Sequence, residues 1–271
     1  MQTISTYQKL KSEDVRLIAK RAADGMEIQL LVIQTPFGYR RVAELYSPQT
    51  ESPRAAILYL HWYEPGSPDS DRSQFQDEAK ELSGCGAVCL LIETMWSDRD
   101  FFIKRTQVED LQNSVEEAVN IRRAVDLLFL QTHIDAQRFA LVGHDFGGMY
   151  GVLAGCLDQR PSHYVVMAAT PRFPDWYLYG PKLEGQLRDK FIHQFSALDP
   201  ITHIADLSPA AVLFQFGSDD PHVPNERAEE FFNAAKQPKE IKWYPSGHGL
   251  SEAATVDRKN WLKEELNLKR E

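Results

Sequence analysis

The stretch Val142-Gly143-His144-Asp145-Phe146-Gly147-Gly148 lies between an apolar run, residues 138–142, and a run of small residues, 149–156. The first run is typical of a strand buried on both faces, and the second favours a closely packed helix. A tight turn between them needs glycine wherever a side chain would collide with neighbouring backbone. The stretch therefore predicts a sharp strand-to-helix turn with Asp145 at its tip.

Apolar runs of the same kind recur along the chain and alternate with segments of helical periodicity. Strands are predicted at residues 28–34 and 39–46, which form a hairpin, and at 55–60, 87–92, 164–169, 210–216 and 241–244. Helices are predicted after a capping box at 73–76, ending at Gly84, and at 106–130, 226–235 and 252–268, the second with an apolar stripe from Val108 to Leu128. This alternation predicts an α/β fold with a mostly parallel sheet covered on both faces.

Residues 170–207 interrupt this rhythm with prolines and a cluster of aromatic residues, Phe173, Trp176, Tyr177 and Tyr179. We interpret residues 171–207 as a small lid inserted over the carboxyl ends of the strands. The sequence contains no internal repeat or linker, so residues 1–271 are predicted to form a single domain.

Composition and charge restrict the possible partners. The 271 residues are 43% hydrophobic, and 30 Lys and Arg against 39 Asp and Glu give a net charge of −9, which argues against a nucleic-acid partner. The longest apolar run, residues 86–92, is too short to span a membrane, and the amino terminus lacks a signal-peptide pattern. Three cysteines without metal-type spacing fit a reduced compartment, so we expect a soluble cytoplasmic protein with no membrane partner. A homodimer remains open.

Two later loops, each after a predicted strand, carry an acid and a histidine. They read Gly217-Ser218-Asp219-Asp220-Pro221-His222-Val223-Pro224 and Ser246-Gly247-His248-Gly249. A nucleophile, then an acid, then a histidine is the chain order of the α/β-hydrolase triad. We therefore predict Asp145, Asp220 and His248 as catalytic residues.

From about residue 27 onward the chain resembles α/β-hydrolases, which implies a mostly parallel sheet flanked by helices with a short lid. The layout and the Gly217-x-x-Asp220-x-x-Val223-Pro224 loop are similar to dienelactone-hydrolase-like members and related esterases or peptidase-like proteins. The turn Gly143-His144-Asp145-Phe146-Gly147-Gly148 instead resembles epoxide hydrolases and haloacid or haloalkane dehalogenases, which use Asp where esterases use Ser or Cys.

The aspartate decides which chemistry we expect. Attack by Asp145 on a saturated carbon gives an alkyl ester, whereas attack on a carbonyl would give an anhydride. His248 would then activate the water that hydrolyses this ester, and Asp220 would orient His248. We expect a cofactor-independent hydrolase acting on a small epoxide or organohalide, since no metal cluster, phosphate loop or dinucleotide fingerprint is visible.

Several alternatives stay open. The chain could hydrolyse an ester, lactone or thioester with Asp145 as a replacement nucleophile or general base, or it could be a ligand-binding protein without turnover. Asp145 could also simply cap the helix that follows. Asp219 and Asp175 are rivals for the acid role. His61 and His144 adjoin the predicted site, and they fit buried, hydrogen-bonded structural roles better than catalysis.

The remaining site residues are aromatic or supply backbone N–H groups. The oxyanion hole is predicted to combine the N–H of Phe146 with that of Trp62, or alternatively Tyr63. Substrate-pocket candidates are Tyr63, Trp96, Trp176, Tyr177 and Tyr179. Among these, Tyr177 or Tyr179 could protonate an epoxide oxygen, although they could equally pack within the lid. Phe146 cannot bind a halide as a tryptophan would, so Trp62, Trp96 or Trp176 would have to do so.

Overall fold

The computed structural model describes residues 7–49, 54–131, 133–180 and 182–269. Within these ranges, nine strands form one sheet in the order β1-β2-β3-β5-β4-β6-β7-β8-β9. Their bounds are β1 Val15–Ala23, β2 Met26–Gln34, β3 Arg40–Pro48, β4 Arg54–Leu60, β5 Ala87–Ile92, β6 Ile134–His144, β7 His163–Met167, β8 Ala211–Gly217 and β9 Lys239–Tyr244. Three neighbouring pairs are antiparallel: β1 with β2, β2 with β3, and β3 with β5. The other five pairs in the described sheet are parallel. The predicted mostly parallel sheet is confirmed.

Helices pack on both faces of the sheet. They are α1 Gln76–Ser83, α2 Phe101–Lys104, α3 Asp110–Phe129, α4 Phe146–Gly155, α5 Phe173–Tyr177, α6 Gly185–Phe195, α7 Pro200–His203, α8 Asn225–Ala234 and α9 Glu252–Glu265. Short 3₁₀ helices occur at Ser12–Asp14, Arg72–Phe75, Met95–Ser97 and Ile204–Leu207. Strands β4 and β5 are buried along their entire length, as their unbroken apolar sequences predict. No helix in the described ranges is both long and apolar enough to cross a membrane.

Three local predictions differ from the structure. Strand β1 lies outside the predicted strands, because its sequence VRLIAKRAA does not alternate apolar with polar residues and it is exposed on both faces at the sheet edge. Asp71 caps the 3₁₀ helix that precedes α1, and its side chain accepts the Ser73 N–H, so the capping box on Ser73 is wrong. Val108 was placed on the buried stripe of α3, but it precedes that helix and is 92% exposed.

The segment between β7 and β8, where the insertion was predicted, holds α5, α6 and α7. Phe173 and Tyr177 of α5 and Phe195 of α6 are fully buried, and their rings pack against one another. These contacts join the segment to the main core. The role of residues 171–207 as a lid, like the single domain over residues 1–271, stays a prediction.

Candidate active site

Asp145 occupies the tight turn that the sequence predicts. Strand β6 ends at His144, α4 begins at Phe146, and Asp145 between them has φ 55° and ψ −119°. A Cβ on Gly143 would lie 2.3 Å from the Gly147 carbonyl oxygen, and one on Gly147 would lie 2.1 Å from that of Leu60. Only glycine fits at either position. The turn stores backbone strain at a non-glycine residue, which is common at functional sites.

The Asp145 carboxylate is completely buried, and only one of its two oxygens accepts a hydrogen bond from the described residues. Its Oδ2 accepts the Tyr63 N–H at 3.1 Å, whereas Oδ1 makes no hydrogen bond to any described residue. Burial raises the pKa of Asp145 to about 7, against the opposing effects of His248 and of the Tyr63 and Phe146 N–H groups. Near neutral pH the group therefore exchanges between the acid and the carboxylate.

Asp220 and His248 form a hydrogen-bonded pair. The His248 Nδ1–H donates to Asp220 Oδ2 at 2.8 Å. The other oxygen, Oδ1, accepts the N–H groups of His222 at 2.8 Å and Val223 at 3.2 Å. Burial alone would raise the pKa of Asp220, but the bond and charge of His248 and these two N–H groups lower it. Asp220 is thus held as a carboxylate beside the imidazole.

The structure places the rival acids away from His248. Asp219 is exposed, and Asp175 pairs with Arg227 at 3.3 Å. Of the three acids, only Asp220 contacts His248. This agrees with the Gly217-x-x-Asp220-x-x-Val223-Pro224 spacing, which Asp220 fits and Asp219 does not.

The second ring nitrogen of His248, Nε2, is buried and makes no hydrogen bond to any described residue. Burial alone would lower the pKa of His248, but the Asp220 hydrogen bond and the charges of Asp145 and Asp220 outweigh burial and raise it. Because Nδ1 donates to Asp220, Nε2 is the nitrogen that can accept a proton. Asp145 Oδ1 and His248 Nε2 are therefore two free polar atoms in one site.

One predicted oxyanion donor is wrong. The Trp62 N–H donates to Gln74 Oε1 at 2.9 Å, so it cannot serve the site. The next N–H along the chain, that of Tyr63, points to Asp145 instead. The Phe146 N–H also acts on the Asp145 carboxylate and lowers its pKa. The structure thus places the N–H groups of Tyr63 and Phe146, rather than that of Trp62, beside the Asp145 carboxylate.

His61 and His144 are held by hydrogen bonds on both ring nitrogens. His144 accepts from Gln74 Nε2 at 2.7 Å and donates to the His248 carbonyl at 2.9 Å. His61 contacts the Trp62 carbonyl at 2.7 Å and the Thr94 hydroxyl at 2.9 Å. Burial lowers the pKa of both, that of His61 to about 4, so both are neutral near pH 7. Neither imidazole ring hydrogen-bonds the Asp145 carboxylate, and the arrangement matches the structural roles expected for them.

A cavity of about 350 Å³ opens onto His248. Its lining residues are Tyr63, Glu64, Pro65, Phe102, Trp176, Tyr179, Gly180, His222 and His248. Three of the predicted pocket residues, Tyr63, Trp176 and Tyr179, are among them. We refer to this space as the aromatic cavity.

The other two pocket candidates belong to the core. Trp96 is fully buried, and its Nε1–H donates to the His61 carbonyl at 3.0 Å. Tyr177 is also fully buried, and its hydroxyl bonds that of Tyr150 at 2.7 Å. Both predictions were wrong because aromatic composition alone does not distinguish a residue facing a cavity from one facing the core.

Sequence reasoning missed Glu64, Phe102, His222 and Gln74. His222 lies in the acid loop, and its N–H positions Asp220, so the loop motif could have revealed it. Phe102 comes from α2, a single turn of helix without any motif. Gln74 acts only through Trp62 and His144, which it reaches across the fold.

Arg105 fixes one wall of the aromatic cavity. Its guanidinium donates to the carbonyl oxygens of Tyr177 at 2.5 Å and Gly180 at 2.8 Å, and it forms a buried ion pair with Asp110. These bonds tie the segment that carries Trp176 and Tyr179 to the start of α3. Among the described residues, no group of three or more His, Cys, Asp or Glu side chains is arranged to hold a metal ion.

Three features together define the α/β-hydrolase fold. They are the order of the strands in the sheet, the strained turn at Asp145, and the loops after β8 and β9 that bring Asp220 and His248 into contact. A sequence profile described as Peptidase S9, the prolyl oligopeptidase family, matches residues 105–268. The chain belongs to this family, and the predicted α/β-hydrolase resemblance is confirmed.

Individual relatives are distant. The chain is 27% identical over 155 residues to the acylamino-acid-releasing enzyme of Mus musculus, a match covering 51% of this chain and 21% of that protein. The corresponding enzyme of Rattus norvegicus is 27% identical over 156 residues, with the same coverage. The match thus spans about a fifth of the length of these relatives.

Among solved structures, an acetyl xylan esterase from Paenibacillus sp. R4 superposes with a TM-score of 0.75 at 15% identity, over 97% of this chain and 98% of that one. Acetyl xylan esterase 1 from Thermoanaerobacterium sp. JW/SL YS485 superposes with a TM-score of 0.78 at 14% identity, over 97% and 91%. At these identities the likeness establishes the fold.

Proposed function

We propose that this chain is a hydrolase in which Asp145 Oδ1 attacks a saturated carbon of a small epoxide or organohalide. The observation that supports this most directly is the unequal environment of the two carboxylate oxygens. Oδ2 is held by the Tyr63 N–H, whereas Oδ1 is buried and has no partner among the described residues. A carboxylate held in this way leaves one oxygen free to attack a substrate carbon, and His248 and Tyr63, which both act on Asp145, line the aromatic cavity.

The first step forms the bond from Asp145 Oδ1 to carbon and breaks the bond from that carbon to the halide or epoxide oxygen. The departing atom needs a hydrogen-bond donor. Tyr177 is unavailable because its hydroxyl bonds Tyr150, and the indole N–H of Trp96 bonds His61. The indole N–H groups of Trp62 and Trp176 are buried and have no acceptor among the described residues. Trp176 lines the aromatic cavity, so we assign this role to it. A halide leaves as the hydrogen-bonded anion, whereas an epoxide oxygen, which an indole N–H does not protonate, takes its proton from water.

In the second step, water attacks the ester carbonyl carbon of Asp145 and gives up a proton to His248 Nε2. The negative charge that develops on Oδ2 is stabilised by the Tyr63 and Phe146 N–H groups that already surround the carboxylate. Asp220 stabilises the imidazolium form of His248. Collapse of the tetrahedral intermediate breaks the bond from the carboxyl carbon to Oδ1, which leaves as the alcohol oxygen with the proton returned by His248. The water oxygen takes its place, and loss of its remaining proton to solvent restores the Asp145 carboxylate.

Ester, lactone or thioester hydrolysis is the second candidate, favoured by the fold that the chain shares with acetyl xylan esterases and by its membership of a hydrolase family. In that case Asp145 would act as a general base on water, and no covalent intermediate would form. The pKa of about 7 suits a base at neutral pH.

Trapping of the intermediate separates these candidates. His248→Gln is incubated with styrene oxide, 1-bromobutane or 4-nitrophenyl acetate, and the intact protein and its peptides are weighed. We expect a stable adduct on Asp145 with an epoxide or halide, because alkylation proceeds and hydrolysis stops. The double variant His248→Gln/Asp145→Asn is the control and forms none.

Ester turnover by the wild-type chain, with no adduct in His248→Gln, would contradict the proposal and favour the general-base mechanism. Ligand binding with neither adduct nor turnover would indicate a binding protein.

A further inference from the structure

We infer that the aromatic cavity selects a substrate carrying a compact cationic group, such as a quaternary or protonated amine. The inference depends on the proposed function in one respect only, that this cavity is taken to bind the substrate. A cavity with this selectivity would exclude substrates that carry a carboxylate, including haloacids.

Aromatic rings form most of the cavity wall. The Tyr63 and Phe102 rings lie 5.1 Å apart on one side. On another, the His222 ring lies 5.6 Å from Trp176 and 5.9 Å from Tyr179. The faces of the Tyr, Phe and Trp rings among these carry partial negative charge and attract cations, and several such rings together bind a quaternary ammonium group.

The carboxylate that lines the cavity has the sign that attracts a cation. Glu64 is a lining residue, and no Lys or Arg is among the described residues that line the cavity. The negative charge of Glu64 acts within the site, because it contributes to the raised pKa of His248. The nearby guanidinium of Arg105 lies over the Phe102 ring at 4.8 Å, but Asp110 neutralises it.

A cation in this position would also assist the base. A positive charge near His248 disfavours the imidazolium form and so keeps Nε2 free to accept the proton from water. Glu64 raises the pKa of His248, and the bound cation would lower it. Substrate binding would therefore leave more of His248 in the neutral form that the second step requires.

The test compares three ligands of nearly the same shape by calorimetric titration: choline, 3,3-dimethylbutan-1-ol and 3,3-dimethylbutanoate. We expect wild-type protein to bind choline at least tenfold more tightly than the alcohol, and the carboxylate most weakly. Glu64→Gln should weaken choline fivefold or more without changing the alcohol. Glu229→Gln, an equal charge change at an exposed position on α8, is the matched control and should leave all three unchanged.

Phe102→Leu removes an aromatic face but keeps an apolar side chain, so it should weaken choline several-fold more than the alcohol. Equal affinities for choline and the alcohol, failure to bind choline, or an unchanged choline affinity in Glu64→Gln would each overturn the inference. The titrations do not require turnover. Failure of the Asp145 trapping experiment with intact choline selectivity would therefore count against the proposed chemistry alone.

Discussion

Asp145 combines two unfavourable features, a backbone with positive φ and a buried carboxylate one of whose oxygens has no partner in the described part of the chain. Neither contributes to folding stability, and both persist because the surrounding backbone leaves the residue no other position. The sequence predicted this location, since the glycine spacing around Asp145 is specific. It also distinguished Asp220 from Asp219, because only Asp220 fits the phase of the loop.

The choice between Trp62 and Tyr63 as the N–H donor could not be predicted in the same way. The two N–H groups are adjacent in the chain, and the decision depends on Gln74, which takes the Trp62 N–H as its own partner. Contacts of this kind between distant residues leave no periodic signal in a sequence.

Replacing Asp145 with Asn should stabilise the protein in a pH-dependent way. The pKa of Asp145 is about 7 in the folded protein, above its ordinary value of 3.8, so the wild type loses stability as pH rises from about 4 to 7. Asn carries no proton to lose. The free energy of unfolding of Asp145→Asn should exceed that of wild type by an amount growing by about 2–4 kcal/mol between pH 5 and 8.

Urea unfolding at several pH values measures this difference. A gap that is constant with pH would show that the Asp145 carboxyl titrates normally.

At the level of elements, unbroken apolar runs predicted the buried strands β4 and β5 well, because a strand covered on both faces must be apolar throughout. Strand β1 could not be predicted, because its pairing with β2 comes from backbone hydrogen bonds that many sequences can make. The short helix α2, which supplies Phe102 to the cavity, was missed for a similar reason.

The close approach of α4 to β4 gives a test at this scale. A methyl group on Gly147 would lie 2.1 Å from the Leu60 carbonyl oxygen, so Gly147→Ala should cost about 3 kcal/mol or more, or prevent folding. At Gly180 an added Cβ meets nothing within 4 Å, so Gly180→Ala should change stability by no more than about 0.5 kcal/mol. Thermal and urea unfolding compare the two variants, and equal stability would refute the tight packing at the turn.

Across the whole molecule, a buried ion pair connects α1 to α9. Arg258 Nη2 lies 2.6 Å from Glu78 Oε2, and Arg258 Nη1 reaches Gln215 Oε1 on β8 at 3.2 Å. Arg258→Met should destabilise the protein by about 3–5 kcal/mol, because Glu78 would remain as a buried charge without its partner. The double variant Glu78→Gln/Arg258→Met should recover much of this loss.

The exposed pair between Lys80 and Asp77 on α1 provides the control. Lys80→Met should change stability by less than about 1 kcal/mol, since exposed pairs contribute little. Equal losses in Arg258→Met and the double variant would indicate that packing rather than charge is responsible.

The hydrogen bonds from Arg105 to the Tyr177 and Gly180 carbonyl oxygens affect how tightly the aromatic cavity can bind a ligand. A cavity wall that had to become ordered around each ligand would lose conformational entropy at every binding event. Here the wall is ordered once, during folding, because the buried Arg105 guanidinium holds its backbone in place. A ligand in the aromatic cavity therefore meets a preorganised surface, and its affinity depends on its own chemistry, because no free energy is spent on ordering the cavity wall.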